Sequence, residues 1–295
     1  MSGRLRTRFA PSPTGPLHLG HAFSALVGFD LAHEADGAFL LRIEDLDQSR
    51  ARAEWEAQIF EDLAWLGLTW PRPVMRQSGR HAAYDAALDA LWKMGLLYPC
   101  TCTRRDIREA ASAPNEGTPP MGPDGIVYPG TCRPRGAPPS GERPCDTALR
   151  LNMSVAARQL SRLKGGPPPG FEERGVDAGH PTGSVAIEAT DLVEGVGDVI
   201  LARPGQGAAY HLAVVVDDAA QSITDVVRGA DLFEATRIHV VLQRLLGLPT
   251  PVYHHHRLIR DAAGKRLAKR DDARALATLR RDGWSPADIR RAVGL

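Results

Sequence analysis

No stretch of this chain approaches the roughly 18 consecutive apolar residues that a membrane-spanning helix needs, so no such span is expected. The N-terminus, MSGRLRTRFAPS, is too polar to carry the apolar core of a secretory signal, which leaves the cytoplasm as the expected address. Strong net charge is missing as well. The chain has 36 Lys and Arg against 35 Asp and Glu, a balance of +1, so the whole molecule is not a polycation. No internal repeat is visible, and no repeat array is expected. Cysteine is scarce, with four residues, and in a cytosolic protein these are not expected to form disulfides.

What is present is a chain of 295 residues, enough for two or three compact units, with a hydrophobic share of 43% that suits a buried core. Residues 4–9 alternate as a short strand should. From Gly20 to Asp36, Phe23, Val27 and Leu31 recur at helical spacing. Residues 39–43, FLLRI, read as a buried strand, and 51–67 and 80–95 as two helices, the first closed by Gly67. Strand and helix in alternation predict a parallel α/β sheet. Residues 112–145 are crowded with Pro and Gly and read as irregular backbone within an insertion, and GGPPPG at 165–170 as another loop. Beyond it, His211–Val216 and Ser222–Val227 read as strands, and Asp231–Leu246 as a helix capped by Asp231. Ser285-Pro286-Ala287-Asp288 predicts a capped C-terminal helix.

Charge is uneven at the C-terminal end. From Arg257 to Leu295 there are eleven Lys or Arg against five Asp, which can seat a polyanion or simply form a solvated helical face. Between the first strand and the first helix lies PSPTGPLHLGH, residues 11–21. A Gly/Pro loop opening onto a helix N-terminus is an anion site, because free backbone N–H groups and the helix dipole point to one place. His18 and His21 could donate to phosphate oxygens there, and Gly20 would let a ligand approach. The plainer reading is that the histidines cap the helix.

Cys100 and Cys102 form a C-x-C pair, with Cys132 across a Pro/Gly loop, a spacing that suits tetrahedral zinc. On spacing alone Cys145 is the obvious fourth ligand. His254-His255-His256 tempts a metal reading too. Consecutive strand residues face opposite ways, however, so these are read as strand and loop residues near a nucleotide or a catalytic loop.

RFAPSPTGPLHLGH resembles the HIGH motif of class I aminoacyl-tRNA synthetases in its glutamyl wording. LRIEDLDQSR at 41–50, YHLAVVVDDA at 210–219 and VVRGADL at 226–232 are similar to three further segments of that family, in the same order. The resemblance implies a Rossmann-type parallel sheet split by a zinc-binding α/β insert, with a small helical stem-contact region after it. The implied division is 1–98 and 205–258 for the catalytic halves, 99–204 for the insert and 259–295 for the signature loop and helical end. It implies that ATP and L-glutamate are joined as an adenylate, with Mg accompanying ATP. His18, Gly20 and His21 would meet the nucleotide. Arg8 would hold the glutamate side chain and Glu44 its ammonium group, with Ala10, Ser12, Tyr210 and Arg228 completing the pocket.

The family's KMSKS-like loop falls at Arg266-Leu267-Ala268-Lys269-Arg270, a degraded match in which Lys269 stands for the key lysine. The family's metal site reads C-x-C and then Y-x-x-x-C, which implies Cys100, Cys102, Tyr128 and Cys132 as ligands and leaves Cys145 spare. A full glutamyl enzyme continues into an anticodon-binding domain, whereas this sequence stops at Leu295. That implies the truncated paralogue, which attaches glutamate to the queuosine base of tRNA(Asp), acts as a monomer and seats the anticodon stem on Arg280, Arg281, Arg290 and Arg291. A truncated ligase charging a tRNA 3′ end and a non-catalytic RNA-binding relic are the alternatives.

Overall fold

In the computed structural model, residues 4–112, 118–162, 168–175, 178–260 and 275–295 are described. The chain begins with β1 (Arg6–Phe9), α1 (Leu19–Glu34), β2 (Ala38–Ile43), α2 (Ala53–Trp65), β3 (Met75–Arg76) and α3 (His81–Lys93). It continues through β4 (Leu97–Cys100), α4 (Arg104–Ser112), β5 (Met121–Gly122), β6 (Gly125–Ile126), β7 (Ala148–Leu151), α5 (Met153–Leu160), β8 (Gly170–Glu173) and β9 (Gly183–Ala186). After a π-helical turn at Asp191–Val196 come β10 (Ile200–Arg203), β11 (Gly207–Ala208), α6 (Tyr210–Ala220), β12 (Asp225–Gly229), α7 (Thr236–Leu246), β13 (Val252–His256), α8 (Leu276–Arg281) and α9 (Pro286–Val293).

The strands β1, β2 and β3 pair in parallel, as do β12, β13 and β8, with β9 antiparallel on the far edge. The two groups abut where Thr224 N donates to Arg6 O at 3.1 Å and Arg6 N donates to Thr224 Oγ1 at 2.8 Å. The result is a parallel sheet with β1 at its centre, the place where doubly wound sheets bind ligands at their carboxyl ends. An antiparallel sheet, ordered β11-β10-β7-β4, stands beside it. One apolar core joins α3, α5, α6 and α7 to that second sheet, and another packs α1, α2, α8 and α9 on β1 and β2.

Two readings of the sequence fail. His211–Val216 is not a strand but most of α6. Leu212, Ala213, Val214, Val215, Asp217 and Asp218 are all buried, so the helix is covered on nearly every side and its acidic residues do not mark a solvent face. Its β-branched run is overridden by packing. Asp231 is not the cap of the next helix either. A 3₁₀ turn spans Ala230–Leu232, and α7 begins only at Thr236, behind an Ala235 cap that makes no side-chain bond. The C-terminal helix has the capping box and first-turn proline that the sequence predicts.

Candidate active site

The loop after β1 turns into α1 through a cap built entirely of histidine. Gly20 N donates to His18 Nδ1 at 3.1 Å, and His18 N donates to His21 Nδ1 at 3.1 Å. Each Nδ1 therefore accepts, which leaves Nε2 as the ring nitrogen that carries the proton. The capping and anion-binding readings of these residues are thus compatible: one nitrogen caps the helix and the other is an N–H donor at its positive end. The rings lie 3.8 Å apart. A Cβ on Gly20 would stand 3.1 Å from the His18 ring, so glycine leaves the space that the capping imidazole uses. Main-chain pairing of His18 with Ala275 and a 2.9 Å bond from Leu276 N to Leu17 O bring the start of α8 against this helix end. Arg266, Ala268 and Lys269 of the signature segment lie outside the described residues.

At the carboxyl ends of β1 and β2, a charged cluster forms around Asp218 of α6. Arg8 grips it through Nε at 3.0 Å and Nη2 at 3.2 Å, and Arg42 Nη1 approaches it at 2.7 Å. Arg42 also reaches Gln221 Oε1 at 2.9 Å and Glu44 Oε1 at 3.1 Å. Burial acts against the Arg42 charge, but Asp218, Glu44 and Asp217 outweigh it and raise its pKa. Burial pushes the Glu44 carboxyl above its usual range, against the pull of Arg42 and Arg8. Glu44 N donates to Pro11 O at 3.0 Å, which fixes the end of β2 to the loop holding Ala10 and Ser12. Tyr210, 36% exposed, has its phenol pKa raised by its enclosed setting and lies within the electrostatic reach of Arg228, Glu44, Arg8 and Asp218. Arg8 and Glu44 are joined through Arg42 and Asp218, Arg8 Nη1 donates to the carbonyl of Val227, next to Arg228, at 3.4 Å, and the Tyr210 ring lies 5.8 Å from that of His239, a partner of Arg228, so the four share one neighbourhood, with Ser12, Glu44 and Tyr210 on the wall of one cleft.

Arg228 is held on both sides. Its Nε donates to His255 Nε2 at 3.1 Å, its Nη1 meets His239 Nδ1 at 3.0 Å, and its Nη2 donates to Thr236 Oγ1 at 2.6 Å. The three consecutive histidines of β13 part company, as strand geometry requires. His254 pairs with Asp225 at 2.8 Å, His255 Nδ1 with Glu173 Oε2 at 2.5 Å, and His256 with Ser24 Oγ at 2.5 Å.

The Sγ atoms of Cys100, Cys102 and Cys132 lie within 4.8 Å of one another. The Tyr128 hydroxyl sits 3.5 Å from Cys100 Sγ and 3.3 Å from Cys102 Sγ, and Cys102 and Cys132 are 3.4 Å apart. Ligands of a tetrahedral zinc are separated by roughly 3.5–3.8 Å, given metal–sulfur bonds of about 2.3 Å, and the separations of 3.3–3.5 Å among these atoms are close to that spacing. Arg150 donates to Cys100 Sγ at 3.2 Å and lies 3.8 Å over the Tyr128 ring, a positive charge beside would-be anionic donors. Burial acts to raise the Cys132 thiol, yet hydrogen bonds from Tyr128 and the Thr101 backbone bring it down to about 6. Cys145 is exposed and stands outside this group.

A cleft of about 1090 Å³ runs between the two regions, lined at one end by Ser12, Glu44 and Tyr210 and at the other by Cys102 and Tyr128. The cysteine group lies far from the glutamate motifs in sequence but shares their cleft. Arg104 and Arg203 also line it and make no ion pair among the described residues. The four C-terminal arginines each have a partner of their own. Arg290 forks onto Asp30 at 2.7 and 2.8 Å, Arg280 turns toward Glu61 at 3.6 Å, Arg291 pairs with Asp288, and Arg281 reaches Thr278 Oγ1 at 3.1 Å.

Residues that the sequence reading did not single out include Arg42, Asp218, His211, His239 and Glu173. Arg42, His211 and Asp218 stand inside motif segments already quoted, and that was their only signal.

Comparison with known proteins places this geometry. The family described as tRNA synthetases class I (E and Q), catalytic domain, matches residues 4–121 and 182–295. A protein of Rhodobacter capsulatus named Glutamyl-Q tRNA(Asp) synthetase is 61% identical over 289 residues, covering 98% of this chain and 99% of that one. One of the same name from Geobacter sulfurreducens is 42% identical over 271 residues, covering 92% and 77%. Among solved structures, a glutamate tRNA ligase from Elizabethkingia meningosepticum in complex with its amino acid has a TM-score of 0.73 at 25% identity; the match takes in 99% of this chain, which spans 60% of that one's length. A methionyl-tRNA synthetase of Mycobacterium tuberculosis, at 12% identity and a TM-score of 0.57, shares the fold.

Proposed function

The chain belongs to the class I tRNA synthetase family for E and Q, and from that premise we propose that it activates L-glutamate with ATP and transfers it to the queuosine base in the anticodon of tRNA(Asp). The observation that carries the reading is the gathering of Arg8, Glu44, Tyr210 and Arg228 at the carboxyl end of a parallel sheet, in a protein 61% identical to a relative named for that activity.

In the first step the glutamate α-carboxylate attacks the α-phosphorus of ATP, and pyrophosphate leaves with the electron pair of the broken P–O bond. The substrate supplies the nucleophile, so the protein's part is placement and charge. Glu44 takes the ammonium group. Arg8 and Arg228 take the side-chain carboxylate, with Tyr210, Ser12 and Ala10 shaping the pocket. His18 and His21 donate from Nε2 to phosphate oxygens beside Gly20, where the α1 dipole adds to them. Lys269 neutralises the leaving pyrophosphate, and Mg accompanies ATP. In the second step a hydroxyl of the queuosine cyclopentene diol attacks the acyl carbon, and AMP leaves. That diol resembles a ribose 2′,3′-diol, so one site serves both steps.

The catalytic halves are 1–98 and 205–258, the insert is 99–204, and 259–295 holds the signature loop and the helical end. The insert also lends β8 to the parallel sheet. Cys100, Cys102, Tyr128 and Cys132 would hold one zinc ion, which would cross-link the insert. The protein works as a cytoplasmic monomer, and no helix among its described residues is long and apolar enough to cross a membrane.

The test is to incubate the protein with ATP, labelled glutamate and tRNA(Asp) carrying either queuosine or guanosine at the wobble position. Label should enter the queuosine form alone and survive blocking of the 3′ diol. Equal labelling of the guanosine form, or transfer to tRNA(Glu), overturns the reading.

A further inference from the structure

Arg228 is one link in a buried chain of rings and carboxylates whose hydrogen bonds can be arranged in only one direction. A guanidinium has donors only, so His239 Nδ1 must accept from Arg228 Nη1 at 3.0 Å. In neutral His239 the proton is then on Nε2, which donates to His211 Nδ1 at 3.0 Å. That fixes the His211 proton on Nε2, which donates to Asp124 Oδ1 at 2.8 Å. On the other side, Arg228 Nε donates to His255 Nε2 at 3.1 Å, and His255 Nδ1 then donates to Glu173 at 2.5 Å. Each ring N–H in the chain meets an acceptor, and each branch ends on a carboxylate. His239 and His211 are 2% and 6% exposed, so water does not replace these bonds cheaply.

We propose that His239 and His211, anchored by Asp124, are positioning residues that fix the Arg228 guanidinium for the glutamate side-chain carboxylate and so set amino-acid affinity. This rests on the functional reading above, which puts Arg228 in the glutamate pocket. The relay consumes one Nη1 hydrogen, while Thr236 and the Leu232 carbonyl engage Nη2, at 2.6 and 3.3 Å. One Nη1 hydrogen is left for a ligand, in a direction dictated by His239. Asp124 lies at the turn between β5 and β6 in the insert, on the wall of the cleft. A segment of the insert thus helps to aim an arginine of the catalytic sheet.

The experiment measures glutamate-dependent ATP–pyrophosphate exchange on the full chain, with KM for glutamate and for ATP taken separately. His239→Phe should raise KM for glutamate at least tenfold and leave KM for ATP within twofold. His239→Gln keeps one acceptor and one donor and should return to within about threefold of the parent. Asp124→Ala should raise KM for glutamate three- to fivefold, and Asp124→Asn, which still accepts from His211, should restore it. Asp124 is partly exposed, so these two variants remain informative if His239→Phe fails to fold. Unchanged KM for glutamate in both His239→Phe and Asp124→Ala, or equal rises for glutamate and ATP, overturns the proposal. Nitrogen-15 NMR reads the relay without any substrate: His211 and His239 should both be Nε2–H tautomers, and an Nδ1–H form of either refutes the chain. A parent protein with both tautomers in place but no glutamate-dependent exchange refutes the functional reading instead.

Discussion

Arg8 and Asp218, 210 residues apart in sequence, meet through two hydrogen bonds, Nε to Oδ1 at 3.0 Å and Nη2 to Oδ2 at 3.2 Å. This pairing holds the end of β1 against α6 and presets the arginine before any amino acid arrives. If Arg8 holds the glutamate side chain as proposed, Arg8→Ala removes a charge-assisted contact on the order of 1.5–3 kcal/mol, and exchange efficiency should fall by about one to two powers of ten. Arg8→Lys keeps the charge but not the fork and should recover only part of the loss. Wild-type efficiency in Arg8→Ala would show that Arg8 does not select glutamate.

Metal analysis should find one zinc per chain. Cys100→Ser, Cys102→Ser and Cys132→Ser should each lose it, while Cys145→Ser, outside the cluster, keeps it. Zinc lost from Cys145→Ser, or none in the untagged parent, would refute the ligand set.

Asp62 of α2 is fully buried, and neither of its oxygens has a hydrogen-bond partner among the described residues; Arg280 Nη2 stands 4.0 Å away. Burial pushes its carboxyl up to about 6, despite the pull of Arg280. An acid with a raised folded-state pKa binds its proton more tightly when folded. Its contribution to stability is complete below the unfolded value near 4 and is lost as pH rises through about 6. Asp62→Asn should therefore stabilise the protein at pH 8 relative to the parent, by up to about 3 kcal/mol, with the gain shrinking toward pH 4. Thermal unfolding across that range checks it; a gain that grows on acidification would contradict it.

Arg104 and Arg203 line the cleft without ion-pair partners among the described residues, whereas Arg290 is committed to Asp30. If the tRNA backbone enters by the cleft, Arg104→Ala and Arg203→Ala should each reduce the salt dependence of tRNA(Asp) binding by about one phosphate contact. Arg290→Ala should leave it unchanged. The reverse pattern would move the RNA to the C-terminal face.

Features that depend on neighbours in sequence were legible. The stripes of α2 and α3, the strands β1 and β2 and the Ser285 capping box all follow from spacing, whereas in α1 only Phe23 of the Phe23, Val27, Leu31 stripe is buried, and small residues such as Ala22, Ala25 and Gly28 complete the buried face. So did the membership of Arg8, Glu44, Tyr210 and Arg228 in one neighbourhood, through motif wording. Contacts that depend on the fold were not. Arg42 reaches Asp218 across 176 positions, and nothing near either residue announces the other. A lone histidine such as His239, on a buried helix, has no local signature of what it will touch. α6 was misread because a helix buried all round has no polar face to mark its period.

The capping rings at His18 and His21 and the bare backbone of Gly20 form one mechanical part spelled by three letters. A methyl at the glycine would crowd the imidazole that caps the helix, and losing that imidazole would leave the Gly20 amide without its acceptor. A change at Gly20 therefore disturbs the His18 ring, a change at His18 strips the Gly20 amide, and His21 is tied in through the His18 amide that it accepts from, so His18 is the joint on which the other two bear.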